Sequence, residues 1–435
     1  MSGHLKAVTA AAVLSLALAG AAAAQNVVIT NARVLDGTGK IIANGTIVAR
    51  DGRIVSVGAG PAPAASTKGY ARIDARGRTV LPAYIDAHRH IFQGDPKKWL
   101  AETAPAYMQS FVDAGFTTVF SMGDDPQGIL ELRSKLASGA MAGPRLYAAR
   151  MMFPAKGFGE PAVHQDPLPP PYNDPGRTDS AREPARPVKP PEAFTDAELR
   201  AQVDQAKQQG FDAIKTILIV TPGGPEAHGQ AVIVDEAHKQ GLRTFTHATN
   251  YIDTIAAVNA KVDVLAHTPH IGQLEENPAA IQLIAKAGIP MVSTLQVFVP
   301  HFDEQNRPLY RDGGLFPMPR PLSSAGQGPV NARLLWDNGV TYAYGTDTQW
   351  DPRVSLMDEL RALSLTFSPR DILKIMGPNS AAAINKSADL GTLEPGKLAD
   401  IVIVGGDPLE DVFNLTRVLA VVKDGKVVVN KLPKK

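Results

Sequence analysis

Between residues 80 and 345 the chain alternates eight times between a short apolar run and a segment of helical periodicity, a pattern that few folds accept. The apolar runs are Val80–Ile85, Thr117–Phe120, Arg145–Ala148, Ala213–Val220, Thr244–Thr246, Val264–Ala266, Ile289–Ser293 and Thr341–Gly345. Amphipathic stretches such as Ala106–Ala114, Pro126–Ser138, Asp196–Gln209, Gln230–Gln240, Tyr251–Asn259 and Pro278–Ala287 lie between them. Strands that alternate with helices build parallel sheets, and eight of them predict a closed α/β barrel, the (β/α)8 or TIM barrel, over residues 81–388. In such a barrel the functional side chains sit at the C-terminal ends of the strands.

The flanks read differently. Residues 26–80 carry short β-runs (Val27–Thr30, Arg33–Leu35, Gly45–Ala49, Arg53–Val57, Ala71–Asp74) punctuated by Asp36-Gly37 and Asp51-Gly52 turns. The same texture returns in residues 389–435, at Ala399–Val404, Leu419–Val422 and Lys426–Val429. Neither piece is large enough to be stable alone, so the two termini are expected to pair into one small β-sandwich. A proline-rich insertion at 154–194 follows the third barrel strand, on the face where a site would open. It reads equally well as an irregular excursion or as a wall over a pocket. A smaller excursion spans residues 299–330.

Residues 1–24 have the layout of a cleavable signal peptide: Lys6 near the start, an apolar stretch from Ala7 to Gly20, then Ala21–Ala24 before Gln25. That layout predicts an exported bacterial protein, periplasmic or secreted. No later run reaches the ~20 apolar residues that span a bilayer, so no membrane association is expected once the signal is removed. The formal charge of the whole chain is +1 and no basic stripe is present, which argues against a nucleic-acid partner. Cysteine is absent, so thiol nucleophiles and disulfides are excluded and any metal must be held by nitrogen and oxygen.

Chemistry-bearing residues recur where the apolar runs end. His88 and His90 close the first, in Ile85-Asp-Ala-His-Arg-His90, and an i, i+2 pair on a strand projects to one face. Lys215 lies in the fourth run, His247 ends the fifth, His267 the sixth and Asp347 the eighth. Imidazoles with a carboxylate are a ligand set for zinc. Lys215 stands out because a buried ammonium is costly unless paired. It either reaches a carboxylate at the barrel mouth or is converted by CO2 to an anionic carbamate able to bridge two cations. Weaker candidates are His270, His301 and His228, read mainly as solvated loop residues, and His238, on a helix surface. Arg150 is read as an ion-pairing residue, Tyr344 as core, Trp350 as pocket wall and Thr221–Gly224 as a flexible pocket loop.

Taken together, Leu81–His90, Ala114–Val119, Gly210–Lys215, Thr246-His-Ala248, Ala266-His267, Gly345-Thr-Asp347 and the tail Gly391–Val404 resemble the amidohydrolase superfamily of metal-dependent hydrolases. The resemblance covers nearly all of the chain after residue 24, with the ligands in the family's order. It implies that His88, His90 and Asp347 hold a buried zinc ion, that His247 and His267 hold a more exposed one, and that carboxylated Lys215 bridges them. It further implies catalytic roles for Asp347, as proton carrier, and for His267. The strand-4 lysine is similar to the prolidase- and dipeptidase-like branch, which cleaves dipeptides and acyl-amino acids. A one-zinc branch similar to imidazolonepropionase uses the same His-x-His, strand-5 His and Asp, and acts on cyclic amides. The expected partner is thus a small-molecule or peptide substrate, with hydrolysis of a lactone or ester as a further alternative, and the family implies a homo-oligomer. Three departures bear on pocket shape: Ala83-Tyr84 in place of Gly-Leu, Ala266 in place of Glu, and the prolines after Met152.

Overall fold

A computed structural model describes residues 26–61, 67–157, 190–270, 272–297 and 322–433. Residues 1–24, read above as a signal peptide, most of the proline-rich insertion and His301 lie outside these residues. No helix among the described residues is long and apolar enough to cross a membrane.

The N-terminal part supplies β1 (Val27–Leu35), β2 (Ile41–Arg50), β3 (Arg53–Ala59), β4 (Ala71–Asp74) and β5 (Thr79–Pro82). The barrel strands are β6 (Tyr84–Arg89), β7 (Phe116–Met122), β8 (Arg145–Met152), β9 (Ala213–Ile217), β10 (Arg243–His247), β11 (Val264–Leu265), β12 (Met291–Val292) and β13 (Tyr342–Ala343). The C-terminal part adds β14 (Ile401–Val404), β15 (Val418–Lys423) and β16 (Lys426–Asn430).

The two termini meet in one eight-stranded sheet of order β16-β15-β14-β5-β1-β2-β3, with β4 also beside β1. A single apolar cluster that includes Val27, Ile29, Ile47, Ile54, Ile401 and Val422 fills its interior. Arg53 also bridges to Leu398, so the β3 edge meets the chain entering β14. The unit expected from both ends of the sequence is therefore a sheet wrapped around its own core.

The run expected to be one barrel strand, Val80–Ile85, is divided at Ala83. Val80 pairs with Ile403 of β14, whereas Tyr84 pairs with Phe116 of β7. The hydrogen bonding changes sheets between consecutive residues: the Ala83 N–H donates to Asp400 and the Tyr84 N–H to Gly115. Pro82, which has no N–H to offer, ends the first ladder.

The second sheet is the parallel barrel, β6 through β13 in chain order. Its strands are buried on both faces, as parallel strands covered by helices must be. Ile85, Ala87, Phe120, Ala213, Phe245, Val264, Val292 and Ala343 pack in one cluster that lines the interior. Ordinary caps start the surrounding helices. Asp125 accepts from the Gly128 N–H, and Thr195 with Glu198 forms a capping box. The barrel closes between its last and first strands through Ala87 N–H to Tyr344, Thr346 N–H to His88 and Asp347 N–H to His88. At this seam a side chain on Gly345 would strike Val292 and His88, so only glycine lets the two strand ends approach.

Candidate metal centre

The closing seam brings the first and last ligand-bearing segments together. His88 is the penultimate residue of β6, His90 follows that strand, and Asp347 lies just past β13. His88 Nε2 is 3.1 Å and His90 Nε2 is 3.0 Å from the same Asp347 oxygen. The three ligand atoms fall within 4.8 Å of one another, a group able to hold a metal ion.

A β-bulge aims these histidines. Asp86 pairs with Val119 and Arg89 with Ser121, so β6 carries one extra residue at this point. Ile85 and Ala87 face the interior; unbroken alternation would turn His88 away from it. The extra residue restores His88 to the barrel mouth and sends Arg89 outward. The expectation that His88 and His90 share a face agrees with this geometry.

The His88 tautomer follows from its partners. Its Nδ1 lies 3.1 Å from the Ala266 carbonyl, which can only accept, so Nδ1 carries the proton and Nε2 the lone pair. Nε2 is buried and makes no well-aligned hydrogen bond despite its approach to Asp347. A converging, unsatisfied lone pair beside a carboxylate fits a divalent cation. Asp347 and Thr294 both adopt left-handed backbone angles, φ 51° and 42°, unusual for residues other than glycine.

His267 extends the cluster. Its Nδ1 is 2.9 Å from the Thr294 hydroxyl and 3.8 Å from the second Asp347 oxygen. The His267 ring centre is 4.8 Å from that of His88 and 4.4 Å from that of His247. By strand alternation Lys215 sits one layer above Ala213, and His247 one layer above Phe245, on the interior face. Lys215 is 2% exposed, and its side-chain amine makes neither a hydrogen bond nor an ion pair among the described residues. Burial pulls its pKa down to about 8, with Asp347 opposing the shift.

Burial lowers the pKa of His88 and brings that of His247 down to about 3, Lys215 adding to the fall at His247. It also pushes His267 well below its usual range, with His247 contributing. These three imidazoles are therefore neutral at neutral pH, the form that binds metal; at His90 burial is outweighed by the hydrogen bond to Asp347 and its charge, which raise the pKa. Burial alone would raise the Asp347 pKa, but the flanking imidazoles, His88 foremost, hold it well below the usual carboxylate range.

Several positioning residues escaped sequence reasoning. Asp86 accepts from the His88 N–H and the Thr346 hydroxyl, tying β6 to the Asp347 segment. Arg89, fully buried, donates to the hydroxyls of Thr346 (2.8 Å), Thr348 (3.0 Å) and Tyr107 (2.9 Å) and to the Trp350 carbonyl. Asp124 accepts from the Ile91 and Phe92 N–H groups and fixes the turn after His90. The charges of Asp86 and Arg89 inside an apolar run were the available signal; Asp124 carried none.

Other expectations need correction. His270 is buried rather than solvated. His228 lies on helix Glu226–Lys239, not a loop, and pairs with Asp196. Arg150 has no ion pair among the described residues. Thr221–Gly224 is a tight turn closed by a Gly224 N–H to Thr221 bond, with the Thr221 hydroxyl on Glu226, so it is not a flexible loop. His238 is on the surface, paired with Asp263, and Tyr344 is core, both as expected; Trp350 is half-buried and contributes its carbonyl to Arg89.

Comparison with known proteins places this geometry in a class. Residues 79–428 match the amidohydrolase family, and the chain belongs to it. It is thus a member of a family of metal-dependent hydrolases that act on carbon–nitrogen bonds. An imidazolonepropionase from Caldanaerobacter subterraneus subsp. tengcongensis is 22% identical over 410 residues, 88% of this chain and 89% of that protein. The imidazolonepropionase of Shouchella clausii is 29% identical over 205 residues, and the match spans 45% of this chain and only 40% of that protein. Among solved structures, a Xaa-Pro dipeptidase with methionine bound in its active site superposes with a TM-score of 0.72 at 22% identity, covering 93% of this chain and all of that one.

Proposed function

We propose that this chain hydrolyses the amide bond of a dipeptide or N-acyl amino acid, with zinc held by His88, His90, Asp347, His247 and His267 and bridged by carboxylated Lys215. The observation that carries this reading is an unpaired, buried Lys215 amine facing the cluster of imidazoles and Asp347. With a pKa of about 8, a useful share of that amine is neutral near neutral pH. Its lone pair attacks CO2, a carbon–nitrogen bond forms and a proton leaves. The product is an anion where burial of a cation was costly. A prolidase-like structural neighbour supports the same branch.

Zinc bound at this site would supply Lewis acidity, polarising the scissile carbonyl and making a nearby water acidic. Asp347, ionised and aimed into the cluster, takes the proton of the attacking water. The water oxygen bonds to the carbonyl carbon, the carbon–nitrogen bond breaks, and Asp347 returns the proton to the departing nitrogen. His267, beside Asp347, is positioned to steady charge on the substrate. Its Nδ1 is held by the Thr294 hydroxyl.

A second reading has its own support. The imidazolonepropionase of Caldanaerobacter aligns over most of the chain, which favours a single zinc ion acting on a cyclic amide, with Lys215 a plain amine. Elemental analysis of protein purified without chelators and with bicarbonate present separates the two. About two zinc equivalents per chain support the bridged reading, about one supports the cyclic-amide reading, and none, with no uptake of added zinc, overturns both. We also propose that residues 1–24 direct export and are removed. N-terminal sequencing of the protein recovered from the periplasm or medium should begin at Gln25, and an intact Met1 in that fraction would reject cleavage.

A further inference from the structure

A cavity of about 230 Å³ lies at the opposite end of the barrel from the metal centre, between the terminal sheet and the last helices. Its apolar walls include Leu81, Pro82, Tyr84, Met376 and Leu415, and its rim carries Lys40, Arg370 and Lys374. All three rim cations are exposed and none has a carboxylate partner among the described residues. The one acid at the rim, Asp36, is turned inward on its own loop, accepting from the Thr38 N–H and hydroxyl and from the Lys40 N–H. Ile41, also on the rim, is 42% exposed, an unusual display for a large aliphatic side chain at a cavity mouth.

The cavity is held open by backbone that cannot easily collapse into it. Gly37, at φ 84°, is pressed so closely on the Gly391 carbonyl and Pro82 that a side chain there would collide. The opposite wall is a wide π-helical turn, Ile375–Asn379, a feature that recurs at functional sites. The Ile375 carbonyl accepts from the Tyr344 N–H and the Ser380 hydroxyl. Tyr84 opens the strand that bears His88. The walls thus include the segment that leads into the first ligand-bearing strand and a turn whose Ile375 carbonyl is bonded to Tyr344 beside the last.

We propose that this cavity binds an amphiphilic carboxylate, its aliphatic chain among Leu81, Pro82, Tyr84 and Met376 and its carboxylate at Lys40, Arg370 and Lys374. Apolar walls exclude a fully charged ligand, and an uncompensated cluster of cations disfavours a neutral or cationic one. The inference is independent of which substrate the metal centre takes.

The test uses the full-length purified protein and sodium octanoate, with octanol as the neutral probe of equal chain length, both followed by isothermal titration calorimetry. Octanoate should bind at one site. In the double variant Arg370→Glu/Lys374→Glu its affinity should fall at least about tenfold, while octanol affinity stays within about twofold. Both substituted side chains are exposed, and circular dichroism verifies the fold. Absence of octanoate binding overturns the proposal. So does octanoate affinity unchanged in the double variant, which would place the carboxylate away from Arg370 and Lys374. Octanol binding as tightly as octanoate in the unmodified protein would reject the carboxylate.

Discussion

The two halves of the candidate centre are built on different principles. The His88, His90 and Asp347 half is knit by hydrogen bonds: Asp86, Arg89, Thr346 and Thr348 tie the first strand to the last, and both strand ends share the His88 carbonyl. The His247, His267 and Lys215 half is held mainly by burial. Its imidazoles are driven to neutrality, its amine is unpaired, and the Thr294 hydroxyl supports His267. The first half is organised before any metal arrives. The second stores a cost that a metal and a carbamate would relieve.

The contrast can be broken most severely at Asp347, which serves both halves. Asp347→Asn keeps the shape but removes the charge and the proton carrier. Turnover should fall by about a thousandfold or more with an unchanged circular-dichroism spectrum. Activity within tenfold of the parent would remove Asp347 from the chemistry. Lys215 tests the second half alone. Lys215→Met should lose one metal equivalent and about a hundredfold in turnover. Its metal-free form should be more stable than metal-free parent by ~1–3 kcal/mol in urea denaturation, because an uncompensated buried charge has been replaced by an apolar side chain. A less stable metal-free Lys215→Met would show that the amine has support that burial alone does not reveal. Arg89 tests the first half. Arg89→Met removes four donated bonds and should cost about 3 kcal/mol of stability and at least about tenfold in metal affinity. Arg89→Lys should recover little of either, since an ammonium cannot span those acceptors. Full recovery would reduce Arg89 to a charge.

Much of this was legible beforehand because it depends on local periodicity. Each of the eight apolar runs overlaps a barrel strand, the first of them only at Tyr84-Ile85, and a polar residue ending such a run is conspicuous against it. What could not be read was anything that depends on pairing. The bulge that turns His88 inward is defined by which residues face it on β7, and one extra residue inverts every expectation of alternation beyond it. The division of Val80–Ile85 between two sheets is likewise set by partners, Ile403 and Phe116, that lie far away in sequence. Arg89 was visible as a charge in the wrong place, but its role depends on Thr346 and Thr348, some 260 residues on, which meet it only when the barrel closes.

The smallest effect concerns Glu359, a prop of the more weakly supported half. Fully buried on helix Pro352–Leu363, it accepts from the Leu295 N–H (3.1 Å), the Gln296 N–H (2.8 Å) and the Ser293 hydroxyl, and so shapes the turn that presents Thr294 to His267. Burial raises its pKa from 4.5 to about 8, the donors only partly opposing the shift. The folded protein therefore keeps a proton that the unfolded chain releases, so stability from this group is full below 4.5 and is lost as pH rises toward about 8. Glu359→Gln removes that titration. The variant should show a flatter dependence of the urea midpoint on pH across this window, with a modest loss of stability at its acid end, where parent and variant are both neutral. Parallel slopes would mean that Glu359 is ionised in the folded protein and that the three donors stabilise its charge. The His267 half would then rest on a charge-assisted bond network like that of its neighbour, and the contrast between the two halves would narrow to Lys215 alone.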